Sequence, residues 1–124
     1  MRFLCLVVVD ETKLASLSNN EAQELDDISL DHDQQLRQSG KYLASAALEP
    51  VSASKMVRMK DGKVLITDGP FAETKEQVGG FILIDAKDLA EAMDLASKIP
   101  AGQRLGGVSV RAVKELNHSR KPRS

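Results

Sequence analysis

The side chain with the widest chemical range in this protein is His32. It shares steps of three and four with Leu25, Ile28 and Leu36, which puts it on the apolar stripe of a helix. An imidazole in that position must find a hydrogen-bond partner or cost stability. Two readings follow. As a general acid or base, His32 needs a pKa brought near the working pH by burial and a neighbouring carboxylate, for which Asp10, Asp31, Asp33 and Asp68 are available types. As a core histidine it is satisfied by a backbone carbonyl and does no chemistry. His118 belongs to a polar C-terminal segment and has no fixed relation to His32.

A second concentration of ionisable groups lies on one loop, where Asp68, Glu73, Lys75 and Glu76 follow each other closely. Such a set can bind a polar ligand or set one pKa against another. Phe71 is the loop's only large apolar side chain, so it is expected to dock the loop and hold Asp68, Glu73 and Lys75 along one edge of a cleft. The structural alternative is equally open: Asp68 bonds its own turn, Pro70 fixes the bend, Phe71 plugs the core and the charges are solvated. Two histidines and scattered acids have no metal-ligand spacing, so no metal is expected. Neither a nucleophile motif nor a phosphate-binding glycine pattern occurs, and Gly79-Gly80 and Gly106-Gly107 lack the required spacings. No cofactor is expected.

These residues sit in a chain of 124 residues, enough for one hydrophobic core. Apolar residues make up 42% and charged residues 28%, the composition of a folded domain rather than a disordered one. A net charge of −1 gives no pull toward nucleic acid or an anionic membrane. Cys5 is the single cysteine, which excludes an intrachain disulfide and fits a cytoplasmic location. Arg2 and the apolar run after it superficially resemble a signal peptide. The run is short and ends at Asp10-Glu11 without a cleavage site, so a buried strand explains it better. No stretch approaches the roughly 20 apolar residues of a membrane span.

Residues 3–9 read as the first strand. Ser18 and Glu21 form a capping box that opens a helix over 19–39, which Gly40 stops. Residues 41–48 read as a second strand, closed by Pro50. Asp61-Gly62 is hairpin-turn chemistry between strands 56–60 and 63–67. Residues 68–78 read as loop, and Gly79-Gly80 admits a strand over 81–84. Asp85 is the expected cap of a second helix bearing Leu89, Ala92, Met93, Ala96 and Ile99, which Pro100 and Gly102 end. A last strand covers 108–113. Residues 1–116 form the expected domain, and 117–124 a loose basic tail carrying Arg120, Lys121 and Arg123. The order is that of an α+β ferredoxin-like plait with an inserted β-hairpin. Two helices cover one sheet face only, yet strands 3–9 and 81–84 are apolar on both, so a second copy stacked sheet to sheet is the expected cover.

The string Asp68-Gly69-Pro70-Phe71-Ala72-Glu73-Thr74-Lys75-Glu76 resembles the hallmark of the DGPF branch of the YCII-related family. The likeness continues through Gly79-Gly80, residues 81–85, Asp88-Leu89 and Ile99-Pro100, and takes in the hairpin and residues 1–115 overall. It implies a ferredoxin-like fold of the dimeric α/β-barrel type. In YCII-type relatives a histidine of the first helix works with a carboxylate, and His32 is similar to it in position; with Asp68 it forms the expected catalytic pair. The wider superfamily includes lyases and isomerases, which implies proton-transfer chemistry on a small polar organic molecule. The other reading is a non-catalytic ligand-binding or accessory protein, linked by the family's gene neighbourhoods to sigma factors of the extracytoplasmic-function type.

Overall fold

In the computed structural model all residues are described except Phe71, His118, Pro122 and Ser124. Strand β1 (Arg2–Asp10) is the spine. Phe3, Cys5, Val7 and Val9 are buried on one face, while Leu4, Leu6 and Val8 on the other are only half-buried. Short helix α1 (Glu11–Ala15) follows, then α2 (Asn19–Gln38) and strand β2 (Tyr42–Ala47). Strands β3 (Lys55–Lys60) and β4 (Lys63–Asp68) make the hairpin. Strand β5 (Glu76–Asp85), helices α3 (Leu89–Ala96) and α4 (Pro100–Leu105), and strand β6 (Gly106–Ala112) complete the chain.

The sheet order is β2-β5-β1-β6, every neighbour antiparallel, and β3-β4 forms a separate sheet. This is the α+β plait expected from the element order: β5 sits between β1 and β2, the two strands that α2 connects. Leu25 and Leu36 of α2, Ala92 and Ala96 of α3, Ile99 and Leu105 bury themselves with Phe3, Cys5, Val7, Ile82 and Ile84 in one core on one side of the sheet. The opposite face carries Leu4 and Leu6 of β1 against Leu83 and Phe81 of β5, with no helix over it.

Local chemistry explains most boundaries. The Ser18 side chain accepts the Glu21 N–H at 3.1 Å and Glu21 returns the bond to the Ser18 N–H at 2.9 Å, the full capping box. Asp61 and Gly62 have φ of 51° and 75°, the positive pair that a two-residue hairpin turn requires. Three expectations shift. Strand β5 starts at Glu76 instead of residue 81 because a bulge lets it run past β1: Val7 opposes Gly80, Val8 opposes Val78, and Gly79 is the extra residue. A Cβ on Gly79 would lie 2.9 Å from the Val9 side chain, so glycine is what admits the bulge. Asp88, rather than Asp85, caps α3, accepting the Glu91 N–H at 2.9 Å, while Asp85 pairs with the N-terminal amine at 3.1 Å. Pro100 opens α4 instead of closing α3, since its fixed φ and missing N–H suit a first helical turn.

Candidate functional site

The second half of α2 lies over β2 and β5. The residues that face the sheet there, Ser29, His32 and Asp33, meet Ser45 to Ala47 of β2 and Gly79 to Ile82 of β5 around a cavity of about 130 Å³. That is on the scale of the ~150 Å³ engineered cavity that takes up benzene. Ile99, Pro100 and Ala101 close its far side. A wider opening of about 680 Å³ shares Ser29, Asp33, Ser45 and Gly79 with it and reaches the surface past Leu30, Leu48 and Glu49, so the two make one cleft.

His32 is 12% exposed, and its Nδ1 is buried with no hydrogen-bond partner. The nearest carboxylate oxygen is Asp33 Oδ1 at 3.9 Å, too long for a hydrogen bond but close enough to attract an imidazolium. Burial pushes the His32 pKa below its usual value against the opposing pull of Asp33. The imidazole is therefore neutral at neutral pH. The other oxygen of Asp33 accepts from the Ser45 hydroxyl at 3.1 Å, and Ser45 Oγ lies 2.7 Å from Tyr42 Oη. Arg37 donates to that Tyr42 oxygen at 3.3 Å and stacks its guanidinium 4.5 Å from the ring centre. With Arg37 donating to Tyr42 and Ser45 donating to Asp33, the proton between Tyr42 and Ser45 belongs to the tyrosine. The chain then runs in one direction, Arg37 to Tyr42 to Ser45 to Asp33, and fixes the carboxylate beside His32.

The structure brings His32 together with Asp33 and not with Asp68. Asp68 ends β4, is exposed, and pairs with Lys55 across the hairpin. Asp10 is buried and caps α1, accepting the Thr12 and Lys13 N–H groups at 2.9 and 3.2 Å, with Lys75 Nζ at 3.4 Å from its other oxygen. Lys75 thus faces a separate hollow with Asp10, Lys13, Thr74 and Glu76, and Glu73 is exposed; neither lines the cleft of His32. Gln77 ties the described part of the loop down through the Ala72 and Thr74 carbonyls at 2.9 and 3.2 Å. Phe71, expected to anchor it, lies outside the described residues, as does His118. Among the described residues no group of three or more His, Cys, Asp or Glu is placed to hold a metal ion.

Sequence reasoning did not find Tyr42, Ser45 or Arg37 as a set. The available signals were the single tyrosine of the chain and a serine inside an alanine-rich strand, two and five residues past the Gly40 stop. Their convergence depends on how β2 folds back along α2, which no local pattern encodes.

This α+β fold, with a cleft between its long helix and an antiparallel sheet, is that of the dimeric α/β-barrel type. The model of the YCII-related domain matches residues 1–117, and the chain belongs to that family. It is similar to the uncharacterised protein R00369 of Rhizobium meliloti (strain 1021), 43% identical over 75 residues, which are 60% of each chain. The match thus spans less than two thirds of that relative's length. Among solved structures it is similar to the 5-chloro-2-hydroxyhydroquinone dehydrochlorinase (TftG) of Burkholderia phenoliruptrix AC1100, in complex with 2,5-dihydroxybenzoquinone. The TM-score is 0.57 at 16% identity, covering 95% of this chain and 98% of the other, a likeness of fold. No described helix is long and apolar enough to cross a membrane.

Proposed function

We propose that this protein binds a small polar organic molecule in the cleft under α2 and exchanges a proton with it through His32, in chemistry of the lyase or isomerase kind. The observation that carries this reading is the buried, unpartnered Nδ1 of His32 on the cavity wall. Leaving a buried polar atom unpaired costs about 1–3 kcal/mol, which a ligand hydroxyl or carbonyl at that nitrogen would recover. A neutral imidazole accepts a proton, and Asp33, held by Ser45, stabilises the imidazolium that forms. The remaining walls, among them Val7, Ile82 and Ile99, suit a compact carbon skeleton with its polar groups at the His32 end. The fold neighbour is a dehydrochlorinase, which supports the lyase side of the reading. The same reading takes the chain as a homodimer, supported by the uncovered apolar sheet face, and as cytoplasmic, supported by the free, buried Cys5.

The test is a turnover screen of small hydroxylated and carbonyl compounds, repeated with His32→Ala. Loss of general acid–base catalysis lowers kcat by about 10²–10⁴-fold. Melting should show the variant still folded. Full activity in His32→Ala ends the catalytic assignment. Binding without turnover in the unaltered protein instead assigns the cleft to a non-catalytic ligand-binding or accessory role, such as one linked to sigma-factor-dependent transcription.

A further inference from the structure

Beyond the Lys55–Asp68 ion pair at its base, one face of the β3-β4 hairpin is made of apolar side chains. Val57 opposes Ile66 and Met59 opposes Val64 across it, and all are between 60% and 67% exposed. A two-stranded hairpin is marginal in water on its own, and this one joins neither edge of the main sheet. The backbone bond from Gly69 N–H to the Ser54 carbonyl, 2.8 Å, closes its base. An apolar face that its own chain leaves open calls for a cover from outside.

We infer that the cover is a second copy of this chain, and that each hairpin closes the mouth of the other copy's cleft. Three observations point there. The mouth is itself apolar and open, with Leu30 and Leu48 at 67% and 50% exposure on its rim. Charge is complementary in balance: with Lys55 paired to Asp68, the hairpin keeps Arg58, Lys60 and Lys63 against Asp61, while Glu11, Asp26, Asp33 and Glu49 outnumber Arg37 around the mouth. Reach is sufficient, because six-residue strands extend about 20 Å and two stacked sheets lie about 10 Å apart. A hairpin following edge strand β2 is therefore long enough to extend past a sheet stacked on its own. The arrangement is reciprocal about a two-fold axis, so one closed dimer satisfies both hairpins. The cleft is incomplete without the partner, whose Met59 and Val57 supply its outer wall. This docking does not depend on catalysis at His32.

The experiment uses two full-length variants, Met59→Cys and Leu30→Cys, carrying different tags and co-expressed, then treated with a short bis-maleimide without any ligand. Native Cys5 is fully buried and stays silent. The expected product is a mixed-tag Met59→Cys/Leu30→Cys dimer in clear excess over either same-tag dimer. Adding Ile66→Lys to the hairpin, an exposed position that leaves the core untouched, should reduce that product at least tenfold and leave the melting of the body unchanged. A dimer that gives no mixed product, a yield indifferent to Ile66→Lys, or a monomer that captures lipid vesicles through the hairpin would each overturn the inference. None of these outcomes bears on turnover.

Discussion

A buried imidazole nitrogen without a partner leaves a signature in stability as well as in binding. The folded-state pKa of His32 is held below its ordinary 6.5. Between those two values the unfolded chain takes up more protons than the folded one, so stability falls as pH falls through that window and His32 adds no slope above it. We expect the thermal midpoint to drop on acidification below 6.5, and His32→Leu to flatten that drop. At neutral pH His32→Leu should leave stability unchanged or raise it by up to about 1–3 kcal/mol, because it removes an unsatisfied group at similar volume. A histidine bonded for structure would do the reverse, and a denaturant titration of both proteins separates the cases. Cys5 makes a second residue-scale test. Burial raises its thiol to about 11, so a thiol reagent should label it only as fast as the protein unfolds. His32 and Asp33 were legible in the sequence as a helical histidine with acids nearby, but which acid was not. Asp33 is adjacent in sequence and lies off the axis of a perfectly regular stripe; in the fold it accepts from Ser45 of β2, the strand beneath α2.

At the scale of elements, the boundaries that local chemistry controls were readable and those set by packing were not. The capping box of α2 and the Asp61-Gly62 turn follow from residues within four positions of each other. The early start of β5 follows from how β1 and β5 slide past each other at Gly79, and the seating of α4 on β6 from Gly102 lying against Val108. A Cβ on Gly102 would stand 2.4 Å from Val108 Cγ2, and one on Gly106 would stand 2.2 Å from the Val8 carbonyl oxygen. Gly106→Ala should therefore cost about 1–3 kcal/mol or more, since the obstacle is backbone that cannot turn aside. Ser18→Ala should cost about 1 kcal/mol through the lost cap. Chemical denaturation reads both, and a Gly106→Ala loss below about 1 kcal/mol would contradict the packing account of β6.

For the whole molecule, the α+β plait was readable because element order and the both-faces-apolar strands constrain the topology strongly. The loop from Asp68 to Glu76 was the sharpest motif in the sequence, yet its Thr74, Lys75 and Glu76 line the Asp10 hollow and none of its described residues lines the His32 cleft. Ion pairs such as Lys75 with Asp10 depend on where distant strands end, which the motif does not encode. The uncovered face bearing Leu4, Leu6, Phe81 and Leu83 leads us to expect a dimer in light scattering at micromolar concentration. A charged substitution there, Leu6→Lys, should shift it toward monomer. The proposed function stands or falls on ligand binding in the His32 cleft. The most direct measurement is an NMR titration with a panel of small hydroxylated and carbonyl ring compounds, following the His32 ring and the amides of Ser45, Ala46 and Gly79. Compounds that bind should move these signals first and change the pH at which His32 titrates; binding that leaves them still and perturbs another part of the surface would contradict the proposed site.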